Sequence, residues 1–179
     1  MDMSEKARKY QFNWEDTVGA DMQLARPNLG SSTRVEVYRL FQFTLRDVLE
    51  QHYGTEMADI LFREAGVLAG KNFYDKFLSS CTDLSSLAVG LKDHFTQMGI
   101  GIFRIESADP QGGHFIFTVD EDLDCSGLPD TMDVICVYDE GFIQGILESF
   151  SGKNFKVEEI DCWCTGARTC RFEAKTRKI

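Results

Sequence analysis

Three histidines and two tryptophans in 179 residues leave little material for histidine-based catalysis. The sequence contains no GxGxxG, no P-loop and no GxSxG pattern, so neither a phosphate-cradling loop nor a nucleophile elbow is written into it. Positive charge is also scarce. Lys and Arg number 19 against 29 Asp and Glu, for a formal charge of −10. Nucleic-acid binding relies on clustered cations that release counterions, and an anionic membrane surface repels an acidic chain. Neither partner is expected. No apolar run approaches the ~20 residues of a membrane span. The opening stretch MDMSEKARKYQFNWED lacks the apolar centre of a secretory signal. A cytoplasmic protein with reduced thiols is the expectation, and disulfides are rare in that setting.

What the chain does have is an ordinary apolar fraction, 43%, and fourteen phenylalanines. That is enough for one domain with a proper core. Residues 1–33 mix charges with Pro27, Gly30 and the Ser31-Ser32-Thr33 run and read as an N-terminal extension. Phe12 and Trp14 are its candidate anchors, onto the body or a second subunit. From residue 34 the pattern turns helical. Val35, Tyr38, Phe41, Leu45, Val48 and Leu49 recur at helical spacing, and Gly54 closes the run. A second helix follows over 55–78, where Ala65, Gly66, Ala69 and Gly70 offer small surfaces for close packing, most simply within the chain. A third, capped by Thr82 or Asp83, ends at Gly99. The period then shortens: 100–123 reads as two strands around Pro110, Gly112 and Gly113. Residues 129–152 return to helix, with Ile135, Tyr138, Phe142, Ile146 and Phe150 on one face, and 154–175 form a last hairpin. The class is α+β, helices on an antiparallel sheet, over 34–179.

Three of the six cysteines crowd into the last hairpin: Cys162, Cys164 and Cys170. Thiolates joined by a carboxylate or imidazole can enclose Zn²⁺. Glu159 continues the apolar face of Phe155 and Val157, and a carboxylate there is costly unless paired or bound to metal. It is a candidate oxygen ligand. Cys162 has the opposite strand parity, so a bulge or the strand end must turn it inward. Cys81 and Cys125 read as core or loop thiols, Cys125 the more exposed. Asp139 and Glu140, adjacent on a helix, read as a solvated face.

The run Glu159-Ile-Asp-Cys162, then seven residues, then Cys170, with Cys136 upstream at the start of a helix ending in FSGK, resembles the 4-vinyl reductase domain. This is the fold of predicted hydrocarbon-binding proteins and of the sensor domain of phenol-responsive transcriptional activators. The resemblance spans Arg34 onward in layout and is specific from Cys136 to Phe172. It implies a structural Zn²⁺ on Cys136, Glu159, Cys162 and Cys170, close to an aromatic-ligand pocket. Cys164 is extra to the motif and is a candidate competitor for metal or redox thiol. The His and Trp that hold the phenol hydroxyl in those sensors lack clear counterparts. His94 and His114 are nearest in position, and Phe115 and Phe117 stand where a Trp is expected. No ATPase or DNA-binding region accompanies the domain, so direct transcriptional activation is not expected of this chain.

The pocket walls expected on this basis are Phe95, Phe103, Phe115, Phe117, Tyr138 and Phe142, with His94 and His114; Phe73 and Phe77 are further aromatic candidates. The expected function is a zinc-containing, dimeric binder or sensor of a small hydrophobic or aromatic ligand, acting through a partner protein. Two other readings stand beside it. One is a haem or redox sensor using His94, His114 or Cys164, since the fold is distantly similar to haem–nitric-oxide-binding and Golgi-transport domains. The other is a reductase for a vinyl-bearing tetrapyrrole, for which no cofactor fingerprint exists in the chain. Catalysis is not the favoured reading.

Overall fold

The computed structural model describes residues 9–19, 21–131 and 133–177. Parts of the expected extension (1–8 and 20), Met132 in the expected fourth helix and the last two residues lie outside that set. Among the described residues, six α-helices and four strands follow in order: α1 Trp14–Thr17, α2 Met22–Ala25, α3 Val35–Tyr53, α4 Thr55–Phe73, α5 Leu84–Met98, β1 Ile102–Asp109, β2 His114–Asp120, α6 Val137–Ser151, β3 Phe155–Asp161 and β4 Cys170–Thr176. A π-helical turn at Tyr74–Leu78 extends α4, and a 3-10 turn at Trp163–Thr165 sits between the last two strands. The α+β class is thus observed.

Local sequence accounts for most boundaries. Asp83 caps α5 through a capping box, accepting the Ser86 N–H at 2.8 Å while Ser86 Oγ accepts the Asp83 N–H at 3.2 Å. Gly99 and Gly152 end α5 and α6 with left-handed backbone, φ 67° and 69°. The fourth long helix is shorter than its periodicity predicts. It starts at Val137 with Cys136 as N-cap, and the preceding described residues are irregular.

The sheet is antiparallel in the order β1-β2-β4-β3, so the last strand is inserted beside β2 and β3 takes the edge. Register aligns Phe117 with Phe172, Phe115 with Ala174, and Val119 with Cys170. Phe103, Phe115, Phe117, Phe155, Val157 and Phe172 therefore form one buried face. The opposite face carries ion pairs, among them Arg171 with Glu106 and Asp161, and His114 with Glu173.

Helices α5 and α6 cover the buried face, and α4 lies over α6. The α4–α6 crossing is unusually close. A Cβ on Gly66 would strike the Tyr138 carbonyl, and one on Gly70 the Phe142 carbonyl. Gly141 faces the Arg63 carbonyl and Gly145 the Val67 carbonyl in the same way. The small residues of α4 are used inside the chain, as expected, and α6 supplies the matching pair. Wedged between α4 and the sheet, α6 is buried on more than one side: Val137, Glu140, Phe142, Ile143, Ile146 and Leu147 are all inaccessible.

Helix α3 differs from the expectation of a stripe packed inward. Val35, Phe41, Leu45 and Val48 remain exposed, and Gln42 is its one buried residue. Its apolar pattern is real but is not covered by this chain.

The crossing predicts an asymmetric response to added methyl groups. Gly66→Ala or Gly141→Ala should lose about 2 kcal/mol or more, because backbone blocks the new Cβ and overpacking outweighs the ~1 kcal/mol gain in helix propensity. Gly90→Ala, where the flexible end of Leu78 can yield, should stay within about 1 kcal/mol of the parent. Urea unfolding of the three variants checks the contrast.

Candidate metal centre and adjoining cavity

Four sulfurs meet beneath α6: Cys125, Cys136, Cys162 and Cys170, with all four ligand atoms within 4.8 Å of one another. Each is positioned by a different local device. Cys170 opens β4 opposite Val119. Cys136 caps α6. Cys162 follows a register shift between Glu159 and Asp161, the irregularity its parity called for. Its carbonyl accepts the Thr165 and Ala167 N–H groups at 3.1 and 3.2 Å, which folds the following turn. Cys125 sits in the loop after β2, where Asp122 Oδ1 accepts the Asp124 and Cys125 N–H groups at 2.8 and 3.1 Å.

The sulfur of Cys136 lies 3.9 Å from those of Cys162 and Cys170. Thiolates 2.3 Å from a tetrahedral zinc ion are separated by about 3.8 Å. Cys125 and Cys170 are closer, 3.1 Å, still well beyond the ~2.05 Å of a disulfide. All four thiols are free and fully buried. Hydrogen bonds from Cys125, Cys136 and Cys170 hold the Cys162 thiol far below the ordinary range. The same kind of contact, with Cys125, Cys162 and Cys170, drives Cys136 far above it. Four buried sulfurs cannot all ionise beside one another unless a cation compensates them, so the donor set suits a soft divalent ion.

This set differs at one position from the one implied by the resemblance. Cys125, expected as an exposed loop thiol, is fully buried and brings the fourth sulfur. Glu159 lies alongside instead. It is buried, as its place on the strand face required, and its Oε2 accepts the Cys136 N–H at 3.0 Å. Its own N–H donates to Glu140 Oε1 at 2.7 Å. Burial, reinforced by the negative Cys162 sulfur, pushes its pKa up to about 8. Cys164 is buried outside the cluster; burial and the Cys162 charge push its pKa up to about 12, the opposite of what a redox-reactive thiol requires.

Next to the sulfurs lies a cavity of about 260 Å³. Its walls include Trp14, Tyr38, Phe73, Tyr138 and Phe142, and three carboxylates, Asp122, Asp124 and Asp139, also line it. The N-terminal arm closes one side: Phe12, Trp14 and Val18 face the cavity, Trp14 packs edge-on against Phe77 at 5.4 Å, and Glu15 pairs with Lys76. The arm's aromatic anchors are thus set on the body.

Of the expected wall residues, Tyr138 and Phe142 line this cavity. Phe95, Phe103 and Phe117 instead stack in the closed core, with Phe95 and Phe103 centred 5.2 Å apart and Phe103 and Phe117 5.4 Å apart. Phe115 lines a separate cleft of about 90 Å³. His94 packs on Phe73 and Phe77 outside the cavity lining, and His114 pairs with Glu173 across the sheet. The carboxylates were missed. Asp139 and Glu140 are no solvated face: Glu140 is buried and ion-paired with Arg63, and Asp139 turns its acid end into the interior. An acidic pair in the first turn after the candidate ligand Cys136 was the available signal.

Comparison with known proteins places this site in a family. Residues 115–176 match the model of the 4-vinyl reductase domain. All four cysteines of the cluster fall inside that segment, and the resemblance read from Cys136–Phe172 holds. The chain is 22% identical over 147 residues to an uncharacterized protein, MJ1642, of Methanocaldococcus jannaschii, covering 82% of this chain and 80% of that one. Its fold is similar to the phenol-responsive sensory domain of the transcription activator PoxR, solved with phenol, at TM-score 0.62 and 19% identity over 80% and 75% of the two chains. It is also similar to a vinyl-4-reductase family protein from Methanocaldococcus jannaschii, at TM-score 0.61 and 17% identity over 96% and 100%. The matched segment is thus set in a fold shared with a sensory domain.

The two donor sets separate cleanly by substitution. Purified protein should carry about one zinc ion per chain. Cys125→Ser should lose it as Cys162→Ser does, whereas Glu159→Gln should keep it. Elemental analysis checks this; metal lost from Glu159→Gln and kept by Cys125→Ser would restore the carboxylate as the ligand.

Proposed function

We propose that this chain is a zinc-stapled receptor for a small, largely apolar molecule, dimeric and signalling through its helical face to a partner protein. The observation that carries the reading is the aromatic-walled cavity set directly against the sulfur cluster. About 260 Å³ lies at the lower end of ligand-pocket sizes, about 300–1,000 Å³, and suits a single ring with a short substituent. A ligand of this class is named for the PoxR sensory domain, whose fold is similar.

Zinc on Cys125, Cys136, Cys162 and Cys170 would supply structural crosslinking, tying the loop after β2, the start of α6 and the last hairpin together. Four protein sulfurs leave no position for a reacting water, which favours a binding role over catalysis. Four free buried thiols suit a reducing, cytoplasmic setting.

Helix α3 is the element through which occupancy would be read out. Tyr38 donates to Asp124 Oδ1 at 2.7 Å and Gln42 to Oδ2 at 2.6 Å, so the inner side of α3 is bonded to the cavity wall. Its outer side exposes Leu40 and Phe41, each 67% accessible, and α4 adds Met57, Ile60, Leu61 and Leu68. An apolar face this extensive on an acidic chain is suited to a second copy of the same helices.

Two measurements test the reading. A small aromatic such as 2-phenylethanol should quench Trp14 fluorescence and raise the melting temperature, by the equivalent of about 2.7 kcal/mol at a hundred times its Kd. Ala69→Leu, which fills the cavity wall, should abolish both effects. Light scattering should give a dimer for the parent and a folded monomer for Leu40→Glu/Phe41→Glu; a monomeric parent would remove the dimer from the reading. An absorption spectrum with a Soret band would replace the apolar ligand with haem.

A further inference from the structure

We infer that the occupant of the cavity carries a protonated amine, bound between Asp139 and the surrounding aromatic rings. This rests on the receptor reading above and names the chemical class it selects.

The cavity is apolar except at one end, where Asp122, Asp124 and Asp139 converge. Two of the three acids are committed. Asp124 uses one oxygen for the Tyr38 hydroxyl and the other for the Gln42 amide. Asp122 Oδ1 holds the backbone of its own loop through the Asp124 and Cys125 N–H groups. Asp139 is different. Its Oδ2 is sealed from solvent and has no hydrogen-bond partner among the described residues. An unmatched buried acceptor costs about 1–3 kcal/mol, and a ligand that donates to it recovers that cost.

The charge balance then selects the donor. No lysine or arginine is among the described residues lining the cavity. Arg39, the nearby cation, is spent on the Leu123 and Ser126 carbonyls at 2.8 and 2.9 Å. A neutral hydroxyl would satisfy one acceptor, but an ammonium also supplies the positive charge that three carboxylates lack. The walls favour the same head group. Trp14, Tyr38, Tyr138 and Phe142 surround the acids, and aromatic faces attract a desolvated ammonium. A carboxylate or phosphate head is excluded by the same charges.

The proposal is tested by titrating the zinc-loaded full-length protein, by calorimetry and tryptophan fluorescence, with three probes of one size: phenethylamine, 2-phenylethanol and phenylacetate. Phenethylamine should bind at least about tenfold tighter than 2-phenylethanol, a difference of about 1.4 kcal/mol, and phenylacetate should not bind. Asp139→Asn should bring the amine and the alcohol to equal affinity, with zinc content and circular dichroism unchanged. If that variant does not fold, Asp139→Ser serves in its place, and the probe ranking on the parent stands by itself. Equal binding of amine and alcohol by the parent, or an amine preference that survives in Asp139→Asn, would overturn the inference while leaving an apolar receptor. Failure of all three probes would overturn both. A second metal ion per chain, lost in Asp139→Asn, would also overturn it by giving the acids to a metal rather than an amine.

Discussion

The backbone contact between α4 and α6 determines where everything else can be. Gly66 and Gly70 on one helix and Gly141 and Gly145 on the other let the two main chains approach closer than any side chain would allow. That pins α6 between α4 and the sheet. The functional groups of the domain then follow from its first two turns. Cys136 caps the helix over the sulfur cluster, while Tyr138, Asp139 and Phe142 point toward the cavity. A bulkier residue at the crossing would move the metal ligand and the cavity wall together.

The two sites are therefore parts of one arrangement. Asp122 organises the loop that brings Cys125 to the cluster, yet it also lines the cavity. Its own carboxyl is pushed up to about 7 by burial and by the neighbouring Asp124 charge. Glu159 braces the N-terminus of α6 through the Cys136 N–H, and Glu140 braces Glu159 in turn. A chain of buried acids thus runs from the last hairpin to the cavity floor. Buried carboxylates of this kind are costly, and their retention here fits a region where a cation or a donor is meant to arrive.

The outer helix carries a different lesson. The sequence pattern of α3 has the apolar period of a packed helix, and the structure leaves that stripe open. Periodicity reports that a face is apolar and is silent about whether the covering partner belongs to the same chain. The inner face of α3 is held by polar contacts from Tyr38, Arg39 and Gln42 rather than by a hydrophobic seam. Such an attachment suits an element that must respond to what lies beneath it.

Local chemistry in the sequence determined the helices, the two hairpins, the caps at Asp83, Gly99 and Gly152, and the burial of Glu159, because each depends on neighbours within a few residues. It also marked Cys136, Cys162 and Cys170 as a set. Only the tertiary structure decided that Cys125 completes the sulfur cluster. Strand β4 enters the sheet beside β2, pairing Cys170 with Val119 and bringing the loop after β2 to the last hairpin. No short-range pattern encodes that insertion. The same is true of the cavity. Phe95, Phe103 and Phe117 have the spacing of a pocket wall and became solid core, while Trp14 and Asp139 became its lining. Residue type and period specify a buried face; where the packing leaves a void depends on how three layers meet, which is a property of the assembled fold.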